Sequence, residues 1–175
     1  NKKYIICADD FGLTKSVNKA VIDVFNKNNL THTSLMVNMP GSDDAFRLAK
    51  IYKNLNVGLH FNITEGKSLF GKSSLTNSEG FFYSRKELVI RHFGGLIKSK
   101  DIQNELLAQM HEFQKAEIKL ETLDSHQHIH VIPLVFNSII NILIEKKINI
   151  RLLYSDASNF LSNINFKSFN KLIIN

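Results

Sequence analysis

Apolar and polar positions along this 175-residue chain switch between a strand-like run and a helical repeat, and the switches divide the chain into elements. Residues 3–8 (KYIICA) form a continuous apolar run that stops at a polar turn, as a strand buried on both faces would. Residues 16–28 place Val17, Ala20, Val21, Val24 and Phe25 at helical spacing behind Thr14, a suitable N-cap. Residues 33–38 (TSLMVN) predict a second strand, ending at Met39-Pro40-Gly41. A helix over 42–53 follows, with Ser42 expected as its cap and Ala45, Phe46, Leu48, Ala49 and Tyr52 facing inward. Residues 56–61 (NVGLHF) predict a third strand, 86–97 and 101–115 two helices parted by Gly94-Gly95, 121–126 a fourth strand, 134–146 a helix and 148–153 a fifth strand. Residues 64–80 are polar and aperiodic, with Gly66, Gly71 and Gly80; so long a stretch is expected to be a lid or a substrate-binding insert.

Repeated strand-helix-strand units imply parallel strands joined by right-handed crossovers, hence an α/β fold, either a barrel or an open doubly wound sheet. Asp9-Asp10, Asn38, His60, His126 and Arg151 all fall at or just beyond the C-terminal end of a predicted strand. In a barrel those ends ring one pocket, whereas an open sheet concentrates its site at a switch point. The pattern therefore favours an irregular (β/α) barrel of the TIM-barrel type. Five strands do not close such a barrel, so residues 1–175 are expected to be one domain, incomplete at its C-terminus.

Composition narrows the setting. At 43% hydrophobic content a chain of this length can bury one core, and no apolar run is long enough to cross a bilayer. A single cysteine, Cys7, excludes an internal disulfide and suits a reducing compartment, so a cytoplasmic location is expected. The formal charge of +6 comes from scattered lysines with no aromatic-interleaved basic stripe, so neither nucleic acid nor membrane is expected as a partner.

The chemistry concentrates in three places. Asp124-Ser125-His126-Gln127-His128-Ile129-His130 sets three histidines at alternate positions behind an aspartate. On an extended backbone His126, His128 and His130 would share one side, a row that invites a divalent cation; the bland alternative is a solvated histidine run. Asp9-Asp10-Phe11-Gly12 follows the first strand, where a turn could gather two carboxylates, one to ligate a cation and the other to act as a base; alternatively the aspartates only cap the following helix. His60 stands where the third strand meets the polar stretch, either as a ligand or as a satisfied core residue. His32, His92 and His111 have no partner at metal-binding spacing. One aspartate and two histidines from three strand ends would make a facial set with open positions for water, and the second aspartate would supply a base for hydrolysing an amide or ester.

The order A-D-D-F-G-L, G-L-H-F-N-I-T and L-D-S-H-Q-H-I-H-V-I-P resembles the YdjC/ChbG-like carbohydrate deacetylase family over nearly the whole chain. The resemblance implies an irregular α/β barrel that binds one divalent metal ion and removes the acetyl group from N-acetylated sugars such as chitooligosaccharides. It implies Asp10, His60 and His126 as metal ligands and Asp9 as the base, with Asn62, His128, His130 and Arg151 behind the ligands or facing substrate. It implies Mg²⁺, although two imidazoles and one carboxylate also suit Zn²⁺. Members tend to pair, so a homodimer is an expectation. Members also continue past residue 175 into a His-Pro segment of the active site, and often carry Asn where Cys7 stands. Two alternatives remain open: a truncated barrel that binds sugar or metal without turnover, and a metal-dependent phosphoesterase.

Overall fold

A computed structural model describes residues 5–152 of the chain. Strand β1 (Cys7–Phe11) leads into α1 (Lys15–Asn26), β2 (His32–Leu35), α2 (Ser42–Ile51) and β3 (Asn56–Phe61). A long connection then reaches α3 (Arg85–Phe93) and α4 (Ser99–Lys115), followed by β4 (Thr122–Ser125), a 3₁₀ turn (His126–Val131), α5 (Pro133–Glu145) and β5 (Asn149–Ile150). The strands form one parallel sheet in the order β1-β2-β3-β4-β5, an α/β fold. Among the described residues no helix is long and apolar enough to cross a membrane.

The order never reverses, so every crossover steps the same way, and right-handed crossovers then gather the helices on one face of the sheet. Strand alternation divides the residues accordingly. Leu35, Leu59, Phe61 and Leu123 pack into the core with Val21 and Ile22 of α1, Ala45 of α2, Leu106 and Phe113 of α4, and Ile139 and Leu143 of α5. Ser34, His60 and Asp124 alternate with those apolar residues and lie on the opposite face. That face is concave. In a flat sheet the first and fifth strands would stand roughly 19 Å apart, at about 4.8 Å per step. Yet Arg151, just after β5, donates to Asp9 on β1 at 2.5 Å, so the sheet curls strongly around this face.

Several boundaries differ from the sequence expectation for identifiable reasons. β1 starts at Cys7 and runs through the acidic pair to Phe11, because the ladder to β2 continues past a bulge between Ala8 and Phe11. Gly41, not Ser42, is the N-cap of α2, with no side-chain cap; Ser42 is already helical. Thr14 does cap α1, accepting from Val17 N at 3.2 Å. The last residue of the expected fifth strand, Leu153, lies outside the described residues.

Candidate metal centre

The turn after β1 is fixed by a residue that the sequence pattern did not single out. Asn18 on α1 is fully buried; its Oδ1 accepts from Gly12 N at 2.7 Å, and its Nδ2 donates to Gly41 O at 2.9 Å and Asp44 Oδ2 at 3.0 Å. Gly12 has φ +92°, and a Cβ there would stand 2.6 Å from the carbonyl oxygen of Met36, so only glycine suits this close approach. Asp10, at the bulge, has φ 62°, a left-handed conformation that aspartate tolerates better than most residues. The bulge places the two carboxylates in separate surroundings, one on each side of His60.

Asp10 Oδ1 lies 3.2 Å from His60 Nε2 and 3.0 Å from His126 Nδ1. One ligand atom from each of Asp10, His60 and His126 falls within 4.8 Å of the others, and the two rings meet edge to face at 5.4 Å. Two imidazole nitrogens and a carboxylate oxygen at this spacing fit a single divalent cation. These residues come from the ends of three strands, as the sequence predicted. His60 Nδ1 donates to Asp124 Oδ1 at 2.5 Å, a contact that follows from register, since His60 and Asp124 are paired across β3 and β4. Burial opposes the charged form of His60, but hydrogen bonds to Asp10 and Asp124 outweigh it and lift its pKa to about 9. The same contacts, His126 first and His60 second, hold Asp10 far below the usual carboxylate range.

Asp9 occupies the other side. Its Oδ1 accepts from Arg151 Nη2 at 2.5 Å and from Ser34 Oγ at 3.3 Å. Arg151 also donates from Nε to Asp124 Oδ2 at 2.8 Å, with Nη2 bonded to the same oxygen. Arg151 is therefore no free surface charge; its guanidinium ties the aspartates of β1 and β4 together. Burial opposes ionisation of Asp124 most strongly, yet the bonds from His60 and Arg151 prevail and its pKa falls. Cys7, Asp9 and Asp124 form a second close grouping, but the Arg151 guanidinium already pairs with both of its carboxylates. Burial pushes the Cys7 thiol up to about 11, in keeping with a packing residue.

The histidine row departs from the expected geometry. The strand ends at Ser125, and the chain enters a 3₁₀ turn in which Gln127 and His128 have φ 52° and 54°. The three imidazoles therefore do not share one side. His126 faces Asp10, whereas His128 is half-buried and lines a shallow surface groove with Arg85, Lys86, Val89 and Gln127. His130 is buried, with Nδ1 2.5 Å from Ser125 Oγ, and burial lowers its pKa to about 4. Asn62 is also fully buried: its Oδ1 accepts from Thr64 N and Glu65 N, and its Nδ2 donates to Asn38 Oδ1 and Glu65 O. That knot carries Glu65 to the site, where Oε2 lies 3.0 Å from His126 Nε2. Glu65 was invisible to sequence reasoning, because nothing in a polar, aperiodic stretch marks one acid from another.

The long connection after β3 is held by a second buried acid. Glu105 on α4 accepts from Ser68 Oγ at 2.5 Å, Leu69 N at 3.2 Å, Phe70 N at 3.0 Å and Gln109 Nε2 at 2.8 Å. Short antiparallel bridges, Lys67 to Phe81 and Thr76 to Phe82, close the loop on itself.

Comparison with known proteins bears on this arrangement. A carbohydrate deacetylase of Geobacillus stearothermophilus is 39% identical over 132 residues, 75% of this chain and 52% of the relative. The carbohydrate deacetylase of Vibrio cholerae is 37% identical over 131 residues, covering 75% and 51%, and that of Xenopus laevis is 32% identical over 152 residues, covering 84% and 49%. The chain thus spans about half the length of the curated relatives it matches. A crystal structure from Enterococcus faecalis V583, described as of a cellobiose-phosphate cleavage protein, superposes with a TM-score of 0.81 over 93% of this chain and 64% of that one; at 23% identity it speaks for the fold alone. The description YdjC-like protein matches residues 3–172, and the chain belongs to that family.

Proposed function

We propose that this chain carries the metal-binding face of a deacetylase that removes the acetyl group from an N-acetylated sugar of chitooligosaccharide type. The observation that carries this reading is the meeting of Asp10, His60 and His126 within 4.8 Å, with Asp9 held beside them by Arg151. The relatives' names, carbohydrate deacetylase, support a sugar as the substrate. The strand order without reversal and the curl of the sheet support an arc of an irregular (β/α) barrel, whose strand ends would surround the sugar.

Asp10, His60 and His126 would hold one divalent ion, Mg²⁺ or Zn²⁺. When bound, the ion supplies Lewis acidity toward the acetamide carbonyl and the attacking water. Asp9 is the base. Both of its hydrogen bonds among the described residues fall on Oδ1, so Oδ2 receives the proton of the water. Arg151 and Ser34 fix the carboxylate during that transfer, and the connection over residues 64–80 borders the place where the sugar would lie.

The test is acetate release from chitooligosaccharides by purified protein, with and without a chelator. Release that stops on chelation and returns with added metal is the expected result. Acetate release that survives chelation, or an Asp9→Asn variant with full activity, would refute the mechanism.

A further inference from the structure

We infer that Asp124 and Glu65 are the positioning carboxylates of the metal centre, each anchoring the remote nitrogen of one imidazole so that its other nitrogen is presented beside Asp10. This rests on the metal-centre reading above and assigns roles to two residues that the ligand set leaves out.

An imidazole has two nitrogens and a broad χ2 well, so two tautomers and two ring faces compete unless a neighbour selects one. Here each ring has its selector. His60 Nδ1 donates to Asp124 at 2.5 Å, leaving Nε2 toward Asp10; His126 Nε2 lies 3.0 Å from Glu65, leaving Nδ1 toward Asp10. A carboxylate behind a ligating histidine fixes the tautomer, orients the ring and strengthens it as a donor. That the two histidines use opposite nitrogens follows from their backbones. His60 projects from a regular strand across the ladder from Asp124, whereas His126 opens a 3₁₀ turn and meets a carboxylate from a different loop.

The two anchors are themselves anchored, which separates them from incidental contacts. Asp124 is 4% exposed, and its second oxygen accepts from Arg151, which also holds Asp9; one carboxylate thereby sets the position of both a ligand and the base. Glu65 has an exposed side chain, but its backbone is fixed on both sides: the N–H donates to Asn62 Oδ1 at 3.1 Å, and the carbonyl accepts from Asn62 Nδ2 at 2.7 Å and Asn38 Nδ2 at 3.0 Å. Buried Asn62 therefore acts on His126 at one remove, through Glu65.

Wild-type protein and the variants Asp124→Asn, Glu65→Gln and Asp10→Ala are titrated with Zn²⁺ and Co²⁺ by calorimetry, and the visible spectrum of bound Co²⁺ is recorded. Asp124→Asn and Glu65→Gln are each expected to weaken binding by about 10- to 100-fold and to shift the Co²⁺ bands, while Asp10→Ala abolishes tight binding. In zinc-bound wild type, two-bond ¹H–¹⁵N correlation spectra are expected to place the remaining proton on Nδ1 of His60 and on Nε2 of His126. Glu65→Gln alters an exposed side chain and keeps the test available should Asp124→Asn fail to fold. If both variants bind like wild type with unchanged spectra while Asp10→Ala does not bind, the positioning role is wrong and the metal centre stands. If Asp10→Ala binds as tightly as wild type, the metal centre fails and this inference with it.

Discussion

Glu105 and Asp124 are both buried carboxylates, yet the regions around them are built to different ends. Among the described residues Glu105 accepts only from neutral donors: two backbone amides, a serine hydroxyl and a glutamine amide. None of these gains or loses charge near neutral pH, and the outcome is a pinned loop. Asp124 accepts from an imidazole and a guanidinium, each of which reaches on to another carboxylate: His60 to Asp10, and Arg151 to Asp9. A change at one member of that chain is felt by the rest, because buried charges depend on their partners. The comparison separates scaffolding from chemistry by the nature of the donors, where depth of burial alone would not.

The largest expected effect falls on the chemical side. Asp9→Asn retains the shape but not the base, and kcat for acetate release is expected to fall by about 10²- to 10⁴-fold with metal affinity nearly unchanged. Steady-state kinetics and calorimetry on the same preparation check both halves. If metal binding falls as steeply as kcat, Asp9 belongs with the ligands.

A second way to sharpen the contrast is pH. In the metal-free protein the folded pKa of His60, about 9, lies above its unfolded value near 6.5. Its contribution to stability is fully present below pH 6.5 and is lost as pH rises through 9; it amounts to a few kcal/mol at most. Denaturant unfolding between pH 6 and pH 9.5 should show this loss, and His60→Gln should flatten it. Among the described residues Glu105 has no such partner, so Glu105→Gln should preserve the slope.

Glu105→Gln offers the reverse case. Leu69 N and Phe70 N donate to different oxygens of the carboxylate, so whichever oxygen becomes an amide nitrogen sets a donor against one of them, with an expected cost of about 1–3 kcal/mol in stability. Metal affinity is expected to hold within twofold; a tenfold loss would mean that the two regions are coupled. The smallest effect lies outside both. Ser84 caps α3 in a reciprocal capping box with Glu87, and Ser84→Ala should cost about 1 kcal/mol by thermal unfolding, with metal binding unaltered.

Much of this architecture was readable from the chain. The third strand falls at 56–61 as its run NVGLHF predicts, and alternation alone puts Leu59 and Phe61 on one face and His60 on the other. An aspartate of the Asp9-Asp10 pair, His60 and His126 are legible as neighbours because strand ends in parallel folds converge, whereas the choice of Asp10 over Asp9 as ligand comes from the family resemblance. The limits have physical causes. Alternation predicts an extended histidine row, but left-handed backbone at Gln127 and His128 breaks the period, and no local residue type announces it. Asp124 was visible beside the row, yet its role depends on a pairing with His60 across 64 residues. Arg151 pairs with Asp9 only because the sheet curls, a global property that a residue pattern does not encode.

That pairing has a consequence for biosynthesis. Asp9 and Arg151 are 142 residues apart, so the acidic pair leaves the ribosome long before the guanidinium that bridges it to the fourth strand. Before Arg151 is added, Asp9 and Asp124 lack the countercharge that they share in the folded chain. Order around this acid pair thus comes with the final segment described, and a nascent chain halted earlier would carry the ligands without the clasp that sets the base.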